Sequence, residues 1–181
     1  MAKNILITGM TSTGKSTAAQ ILVKEKGFLR IVTYTTRKPR PYEVPGKDYH
    51  FLTNKEFLEK VKEGFFAEYT EYDSSNGHIY YGSSVESYKQ DGEKILVVNS
   101  DGLKALKSSP VKDDFVSVCL LCDEQNLRKR LTERGDSIEE QDKRIASDKE
   151  FFKDIEKYAD ILIDTSDKTP PEVAEEILER C

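Results

Sequence analysis

A glycine-rich segment near the start of the chain carries residue types that bind phosphate. Gly9 and Gly14 precede Lys15 and Ser16 in the spacing G-x-x-x-x-G-K-[ST]. The glycines let the backbone turn tightly, so that successive N–H groups point at an anion at the start of a helix. The Lys15 ammonium can reach the outer phosphates of a nucleotide, and the Ser16 hydroxyl can bind Mg²⁺. We predict a nucleotide phosphate site formed by Gly9, Thr11, Ser12, Thr13, Gly14, Lys15, Ser16 and Thr17.

The residues on either side of this loop support the prediction. A phosphate loop of this kind follows an apolar strand and opens a helix. Residues 5–7 read Ile-Leu-Ile, and residues 17–23 have the composition of a helix. The alternative is a glycine-rich turn that contains an incidental lysine.

Two arginines on a proline-rich segment form a second candidate anion site. Arg37 and Arg40 lie in the run TTRKPRP, where Pro39 and Pro41 restrict the backbone and disfavour a helix. A planar guanidinium group can bind two oxygens of one phosphate. A solvated basic turn is the alternative, but a second anion site in a chain with a phosphate loop favours the binding interpretation.

A third basic group lies in the second half of the chain. Arg130 and Arg134 are four residues apart and therefore share a helix face, and Gly135 follows as a helix end. With Arg144, they place positive charge beside a flexible segment, as a lid needs to neutralise charge during phosphoryl transfer. A surface helix with ion-paired arginines is the alternative.

Short apolar runs alternate with amphipathic segments along most of the chain, which is typical of an α/β fold with a parallel sheet. The predicted core strands span residues 4–8, 30–33, 94–98, 115–121 and 161–164. The predicted helices span residues 15–26, 85–90, 101–107, 124–134, about 139–157 and 170–179.

Residues 35–83 interrupt this alternation. A helix is predicted to begin at Thr53, because Glu56 stands at the capping-box spacing. Two alternating segments, 66–72 and 78–83, follow, joined by a turn at 73–77. We predict one domain, 1–181, with a core (1–34, 84–134 and 145–181), a mixed α+β lobe (35–83) and a short helical lid (135–144).

Composition narrows the functional class. The chain has 181 residues, a net charge of −5, 37% hydrophobic residues and 34% charged residues. We expect one globular domain in the cytoplasm, with no signal peptide, no membrane segment and no nucleic-acid surface. Cys119 and Cys122 lie within the apolar run 116–122, which is typical of a buried strand, and we expect both to be core thiols.

The order of these motifs resembles that of guanylate kinases, which are P-loop nucleoside monophosphate kinases. The phosphate loop is followed by TTRKPR at 35–40, by GKDYHF at 46–51, by Glu68 and by YGS at 81–83. The resemblance runs nearly end to end. It implies a five-stranded parallel core, a monophosphate-binding lobe and a lid, with ATP as co-substrate, Mg²⁺ as cofactor and GMP or dGMP converted to the diphosphate.

The resemblance also implies roles for individual residues. Its GMP-binding residues are Thr33, Arg37, Arg40, Tyr49, Glu68, Tyr81, Ser83 and Asn99, with Glu68 accepting from guanine N1–H and the 2-amino group. Its catalytic residues are Lys15, Arg37, Arg130, Arg134 and Arg144. Asp164 and Thr165 would lie near the ATP base, and Arg130 would bind ATP as a charge-stabilising residue.

Three positions depart from the family pattern, and the turn from Asp73 to His78 is longer than the family norm. Thr33 stands where serine is usual, and Val97 and Asn99 stand where carboxylates are usual. Asp101 is therefore a second candidate for holding Mg²⁺, through water. These departures leave open a kinase of another nucleoside monophosphate, and a non-catalytic interaction module is a third alternative. Both a monomer and a homodimer are compatible with the sequence.

Overall fold

The computed structural model describes residues 4–74 and 77–181 of the chain. Its strands and helices alternate, as the sequence predicts. In chain order they are β1 (Asn4–Gly9), α1 (Lys15–Glu25), β2 (Leu29–Arg30), β3 (Tyr34–Thr35), β4 (His50–Phe51), α2 (Asn54–Lys62), β5 (Phe66–Ser74), β6 (Gly77–Ser84), α3 (Val85–Lys89), β7 (Lys94–Val97), α4 (Ser100–Lys107), β8 (Phe115–Leu121), α5 (Glu124–Arg134), α6 (Ile138–Phe151), β9 (Ile161–Asp164) and α7 (Pro170–Arg180).

The core sheet has five strands in the order β2-β7-β1-β8-β9, and all its pairs are parallel. Side chains alternate between its two faces, because successive residues of a strand point in opposite directions. Ile5 and Ile7 pack in an apolar cluster with α1 and α7, whereas Leu6 packs in a second cluster with α4. Both faces are thus covered, which explains why β1 is buried along its whole length. The predicted α/β class and parallel core are confirmed.

The second core strand is shorter than predicted. The sequence predicts a strand at residues 30–33, but β2 covers only Leu29–Arg30. The Ile31 N–H still donates to the Ile95 carbonyl, at 3.0 Å, and the chain then leaves the core sheet to enter β3 of a second sheet. Residues 29–35 therefore contribute one strand to the core sheet and one strand to the second sheet.

The predicted helix at 139–157 is also wrong in its extent. α6 ends at Phe151, and a separate 3₁₀ turn covers Ile155–Lys157. Asp154 lies between them with φ of 63° in the left-handed region, which a continuous right-handed helix does not allow.

The lobe inserted between β2 and β7 carries a four-stranded mixed sheet in the order β4-β3-β6-β5. Thr53 and Glu56 form the predicted capping box at the start of α2. Phe57 of α2 stacks on Phe66 at 4.3 Å between ring centres, which joins the helix to the sheet. In the predicted turn at 73–77, β5 continues to Ser74 and β6 begins at Gly77, while residues 75 and 76 lie outside the described part of the chain.

Residues 135–144, the predicted lid, include the turn after α5 and the first turns of α6. Gly135 ends α5 with φ of 95°, and Ser137 with Glu140 forms a capping box that starts α6. The helix continues beyond residue 144 without a break.

The prediction of core thiols holds for one of the two central cysteines. Cys119 is buried in β8, and burial raises its pKa to about 11. Cys122 follows the end of β8 and is only partly buried, because the strand ends at Leu121. Within residues 4–74 and 77–181, no helix has both the length and the apolar character to cross a membrane.

Candidate functional site

The phosphate loop joins the end of β1 to the start of α1. Gly9 has φ of 141°, and a Cβ there would lie 2.3 Å from the Leu120 carbonyl oxygen, so only glycine fits. Gly14 caps α1 in the left-handed conformation, with φ of 95°. The strand, tight turn and helix that a phosphate loop requires are therefore all present.

Lys15 folds back over this loop. Its ammonium donates to the Met10 carbonyl at 2.6 Å. Burial lowers the Lys15 pKa to about 8, and the nearby Asp148 carboxylate opposes that change. Asp148 belongs to α6 and accepts a hydrogen bond from the Thr11 N–H of the loop. A carboxylate thus occupies one of the backbone donors predicted to bind phosphate.

A cavity of about 350 Å³ lies on the β9 side of the loop. Arg130 ties the loop to the chain after β9, because its guanidinium donates to Ser12 O at 3.2 Å and to Thr165 O at 2.5 Å. Asp164 is not among the residues lining the cavity, and its carboxylate accepts instead from Ser166, at 2.7 Å from the hydroxyl. The lining residues are Ser12, Thr13, Gly14, Thr17, Arg130, Thr165, Lys168, Pro170 and Val173, of which the last three were not predicted.

The other two predicted catalytic arginines of this region lie differently. Arg134 pairs with Asp136 at the turn before α6, and the described contacts do not bring it to the phosphate loop. Arg144 is exposed on α6. It stands four residues before Asp148, which reaches the loop, so both lie on the same helix face. That face is the one directed at the phosphate loop.

A second cavity, of about 500 Å³, lies between the lobe and the carboxyl end of β7. Its walls come from β5, β6 and the segment leading into α4. The lining residues include five of the predicted GMP-binding residues and eight that were not predicted: Thr33, Tyr49, Glu68, Tyr81 and Asn99, with Thr70, Tyr72, Ile79, Gly82, Leu96, Val97, Val98 and Gly102.

Glu68 is the single carboxylate among the described residues lining this cavity. Ser83 on the neighbouring strand donates its hydroxyl hydrogen to Glu68 Oε1 at 2.7 Å. Burial raises the Glu68 pKa to about 7, although hydrogen bonds from the Ser83 hydroxyl and backbone oppose the rise. Gly102 of α4 faces the other oxygen, since a Cβ on it would lie 3.8 Å from Oε2. A carboxylate so placed can accept from a ligand with two adjacent N–H groups.

Arg37 lies beside Tyr49, which lines this cavity, and is held by a carboxylate. Its two terminal nitrogens each donate to Glu43 at 2.8 Å, and its guanidinium lies 5.2 Å from the ring centre of Tyr49. The Arg37 hydrogen bond lowers the Glu43 pKa to about 2, and the Arg40 N–H adds to this effect. Glu43 therefore fills the donor fork that a phosphate would use.

Arg40 points to solvent. It is exposed, and its guanidinium donates to the Tyr42 hydroxyl at 3.2 Å. Tyr81, predicted beside it, lines the cavity, and the pKa of Arg37 is raised mainly by Glu43 and to a smaller extent by the Tyr81 hydroxyl. The structure thus brings together Arg37, Tyr49 and Tyr81, and leaves the Arg40 side chain outside the group.

Both polar atoms of the Asn99 amide are engaged within the protein. Oδ1 accepts from the Gly102 N–H at 2.7 Å and caps α4, while Nδ2 donates to the Tyr72 hydroxyl at 2.5 Å. Asp101 is exposed in the first turn of α4 and does not line the cavity. Neither residue is placed as a metal ligand by the described contacts.

The residues present nevertheless fit Mg²⁺ bound to a nucleotide. In the described part of the chain, no three His, Cys, Asp or Glu side chains form a cluster able to hold a metal. Mg²⁺ requires few protein ligands where phosphates and water supply the others. The Ser16 hydroxyl is exposed at the start of α1 and is suited to that task.

The two cavities open at the same edge of the core sheet. The carboxyl ends of β1 and β7 are joined by a hydrogen bond from the Thr8 hydroxyl to the Val98 carbonyl, at 3.0 Å. One cavity begins at β7 and the other at β9, with β1 and its phosphate loop between them in the strand order. Ligands of open parallel sheets bind at this edge.

Two residues behind the site gave little sequence signal. Asp148 stands one helical turn after Arg144, a spacing that indicates a shared face but not a partner. Tyr88 lies in a short helix, and the sequence around it does not distinguish it from an ordinary aromatic residue of the core. Their roles depend on contacts between distant segments.

Comparisons with known proteins agree with this geometry. The guanylate kinase profile matches residues 1–179. Guanylate kinase of Lactococcus lactis is 34% identical over 180 residues, which are 97% of this chain and 86% of that protein. Guanylate kinase 1 of Oryza sativa is 35% identical and guanylate kinase of Clostridium acetobutylicum is 36% identical, over 77% and 75% of this chain. The matched segment spans only 37% and 64% of the length of these two relatives.

The fold is shared with a solved structure. The crystal structure of guanylate kinase from Anaplasma phagocytophilum matches 99% of this chain and 84% of that one with a TM-score of 0.72, at 21% identity. The family match over nearly the whole chain and the Lactococcus relative together establish the relationship. This chain belongs to the guanylate kinase family.

Proposed function

We propose that this protein is an ATP-dependent guanylate kinase, which transfers the γ-phosphoryl group of ATP to GMP or dGMP. One observation carries the proposal: a partly buried carboxylate, Glu68, lies in a cavity at the same sheet edge as the phosphate loop. The loop offers a donor site, and the carboxylate offers a means of selecting the acceptor.

The acceptor base would be read by Glu68. The guanine N1–H and 2-amino group are adjacent donors, which one ionised carboxylate accepts together. Adenine has no such pair. Thr33 adds a hydroxyl group to the cavity lining, and the Tyr72 ring forms part of the cavity wall. Ser83 is buried and does not line the cavity, so it would act on the base through its hydrogen bond to Glu68.

The acceptor phosphate would be bound by Arg37, with Tyr49 and Tyr81. A phosphate dianion carries more charge than the Glu43 carboxylate and has three oxygens. It can therefore replace Glu43 in the guanidinium fork of Arg37. Arg40 would have to turn from Tyr42 to join this group.

The donor phosphates would lie on the N–H groups of the phosphate loop. Lys15 would neutralise the outer phosphates, Arg130 would lie beside them, and Ser16 would hold Mg²⁺. When bound there, Mg²⁺ would neutralise negative charge on the outer phosphates. Arg144 would approach from α6, whose face already reaches the loop.

Transfer needs alignment more than acid–base chemistry. The acceptor phosphate is already an anion near neutral pH, so no strong base has to remove a proton from it. Lys15 and the arginines stabilise the charge of the transferred group. The lobe and residues 135–144 would close over the two nucleotides and exclude water, which prevents hydrolysis of ATP.

A kinase of another nucleoside monophosphate is the second candidate, favoured by the apolar Val97 and by the engaged amide of Asn99. An assay of ADP release with GMP, dGMP, AMP, CMP and UMP separates the two. We expect GMP and dGMP to exceed AMP by at least about a hundredfold in kcat/KM. Comparable rates with AMP would overturn the proposed acceptor. Failure to bind ATP would instead favour a non-catalytic module.

We propose a cytoplasmic protein acting on free nucleotides and not on nucleic acid or membranes. The net charge of −5 supports the absence of a nucleic-acid-binding surface. A monomer and a homodimer are both compatible with the proposed site. Analytical ultracentrifugation distinguishes these two states.

A further inference from the structure

Tyr88 lies directly behind the base cavity, on α3. Its side chain is only 3% exposed, and its ring packs against Phe115 of the core at 6.3 Å between ring centres. Its backbone carbonyl accepts from the Asn4 side chain at 2.8 Å. The ring is therefore anchored to the core sheet and cannot easily turn away.

The Tyr88 hydroxyl continues a chain of hydrogen bonds that starts at the cavity. It lies 2.9 Å from Ser83 Oγ, which in turn donates to Glu68 at 2.7 Å. A hydroxyl group has a single hydrogen to donate. When Ser83 gives its hydrogen to Glu68, the bond between Ser83 and Tyr88 must use the hydrogen of Tyr88.

The opposite direction of donation is also available to this chain. A protonated Glu68 would donate to Ser83, and Ser83 would then donate to Tyr88. Only the first direction leaves Glu68 as a pure acceptor. Burial raises the Tyr88 pKa, so the phenol keeps its hydrogen and remains able to donate.

We propose that Tyr88 is a positioning residue of the base site: by donating to Ser83, it directs the Ser83 hydroxyl to Glu68 and holds Glu68 as the ionised acceptor that guanine requires. The proposal rests on the proposed function for the identity of the base. The hydrogen-bond chain itself is independent of that identity.

The surroundings of Glu68 make this contribution matter. Its pKa is raised to about 7 by burial, so a modest change in hydrogen bonding alters its charge near neutral pH. The described groups around it are the Ser83 and Tyr81 hydroxyls from β6, Tyr88 from α3, Tyr72 from β5, Tyr49 before β4, and the Asn99 amide before α4. None of these described groups is a cation that would hold Glu68 ionised by itself. Bonds along a chain polarise one another, so loss of the Tyr88 donor weakens the bond from Ser83 to Glu68.

The test is Tyr88→Phe, which removes one oxygen atom and keeps the ring. In the nucleotide-free protein labelled with ¹³C-glutamate, NMR titration of the Glu68 carboxyl should show its pKa raised by about 0.5 to 1. KM for GMP should rise about two- to fivefold at pH 7 and less than about 1.5-fold at pH 8.5. We expect kcat at saturating GMP and KM for ATP to stay within about twofold of wild type.

Tyr80→Phe is the matched control. Tyr80 is also buried, and its hydroxyl donates to a different carboxylate, Glu71, at 3.1 Å, while its ring stacks on Phe57. The Tyr80→Phe variant should leave the titration of Glu68 and the pH profile of KM for GMP unchanged.

Two results would overturn the proposal: an unchanged Glu68 titration in Tyr88→Phe, or a rise in KM that is equal at pH 7 and pH 8.5. The second result would indicate a general packing defect. Because the titration needs no nucleotide, it tests the proposal even if GMP is not the substrate. Failure of the wild-type protein to prefer GMP would instead count against the proposed function.

Discussion

Glu68 combines two requirements that oppose each other. A base-reading carboxylate has to be ionised, yet the cavity that excludes water from the base also raises the Glu68 pKa to about 7. Ser83 reduces this conflict by donating both its hydroxyl and its backbone N–H. Glu68 is therefore positioned to bind the base, but burial of its ionised carboxylate lowers the stability of the nucleotide-free protein.

This loss of stability has a defined pH dependence. The folded protein binds the Glu68 proton more tightly than the unfolded chain does, so its stability falls as pH rises from about 4.5 to about 7. The Glu68→Gln variant has no carboxyl group at this position, so it does not lose this part of its stability as the pH rises. The free energy of unfolding of Glu68→Gln minus that of wild type should increase by about 1 to 3 kcal/mol between pH 5 and pH 8, measured by urea unfolding.

Glu175→Gln, at an exposed position of α7, serves as the control for this comparison. Its difference from wild type should be the same at both pH values. A difference for Glu68→Gln that stays constant or decreases between pH 5 and pH 8 would contradict the assigned environment of Glu68.

Arg37 depends on the shape of its side chain as well as on its charge. Arg37→Lys keeps the positive charge but loses the fork that now binds Glu43 and is proposed to bind the acceptor phosphate. We expect KM for GMP to rise about tenfold or more, with KM for ATP within about twofold of wild type. Steady-state kinetics with each substrate varied in turn measure both values.

Lys38→Gln removes a neighbouring exposed charge from the same segment and is the matched control. Its KM for GMP should change less than about twofold. Equal effects of the two substitutions would mean that Arg37 contributes only to the general field of the segment.

Helix α6 connects the predicted lid to the phosphate loop through Asp148. The carboxylate accepts from the Thr11 N–H, a group proposed to serve the donor nucleotide. One N–H group cannot fully serve both acceptors, and the carboxylate repels the phosphates. Asp148 must therefore leave the loop when a triphosphate binds.

Asp148→Asn should tighten ATP binding by about three- to tenfold, because it removes the charge that competes for the loop. Isothermal titration calorimetry at pH 6.5, with and without Mg²⁺, measures the dissociation constant of ATP for both proteins. Asp142→Asn, on the same helix but paired with Arg128, should have no such effect. Weaker ATP binding by Asp148→Asn only when Mg²⁺ is present would show that the carboxylate serves the metal instead.

The elements differ in how well the sequence predicts them. Strands 115–121 and 161–164 are predicted correctly, because each is an apolar run with charged or turn residues at its ends. β2 is overestimated because the chain passes from one sheet to another within a single apolar run. The break between α6 and the 3₁₀ turn is missed because Asp154 adopts a left-handed conformation without a glycine or proline to indicate it.

At the scale of the whole molecule, the sequence predicts which segments carry chemistry but not how side chains pair. The phosphate loop follows from a local motif, and Glu68 and Ser83 are named by the family resemblance, although not as a hydrogen-bonded pair. The contacts of Asp148 with Thr11 and of Tyr88 with Ser83 do not follow from a motif, because they join segments whose approach is decided by packing. The pairing of Asn99 is also not predictable from the sequence, since its partner Tyr72 lies in β5, 27 residues away.

The central claim is that a phosphoryl group is transferred from ATP to GMP while both nucleotides are bound at one edge of the core sheet. Anion-exchange chromatography of a reaction containing ATP, GMP and Mg²⁺ tests it most directly, with Lys15→Ala as the comparison. The account predicts equal amounts of GDP and ADP from the wild-type protein, and a rate lower by about a thousandfold or more from a folded Lys15→Ala variant. ADP formed without GDP, or a Lys15→Ala variant as active as wild type, would contradict it.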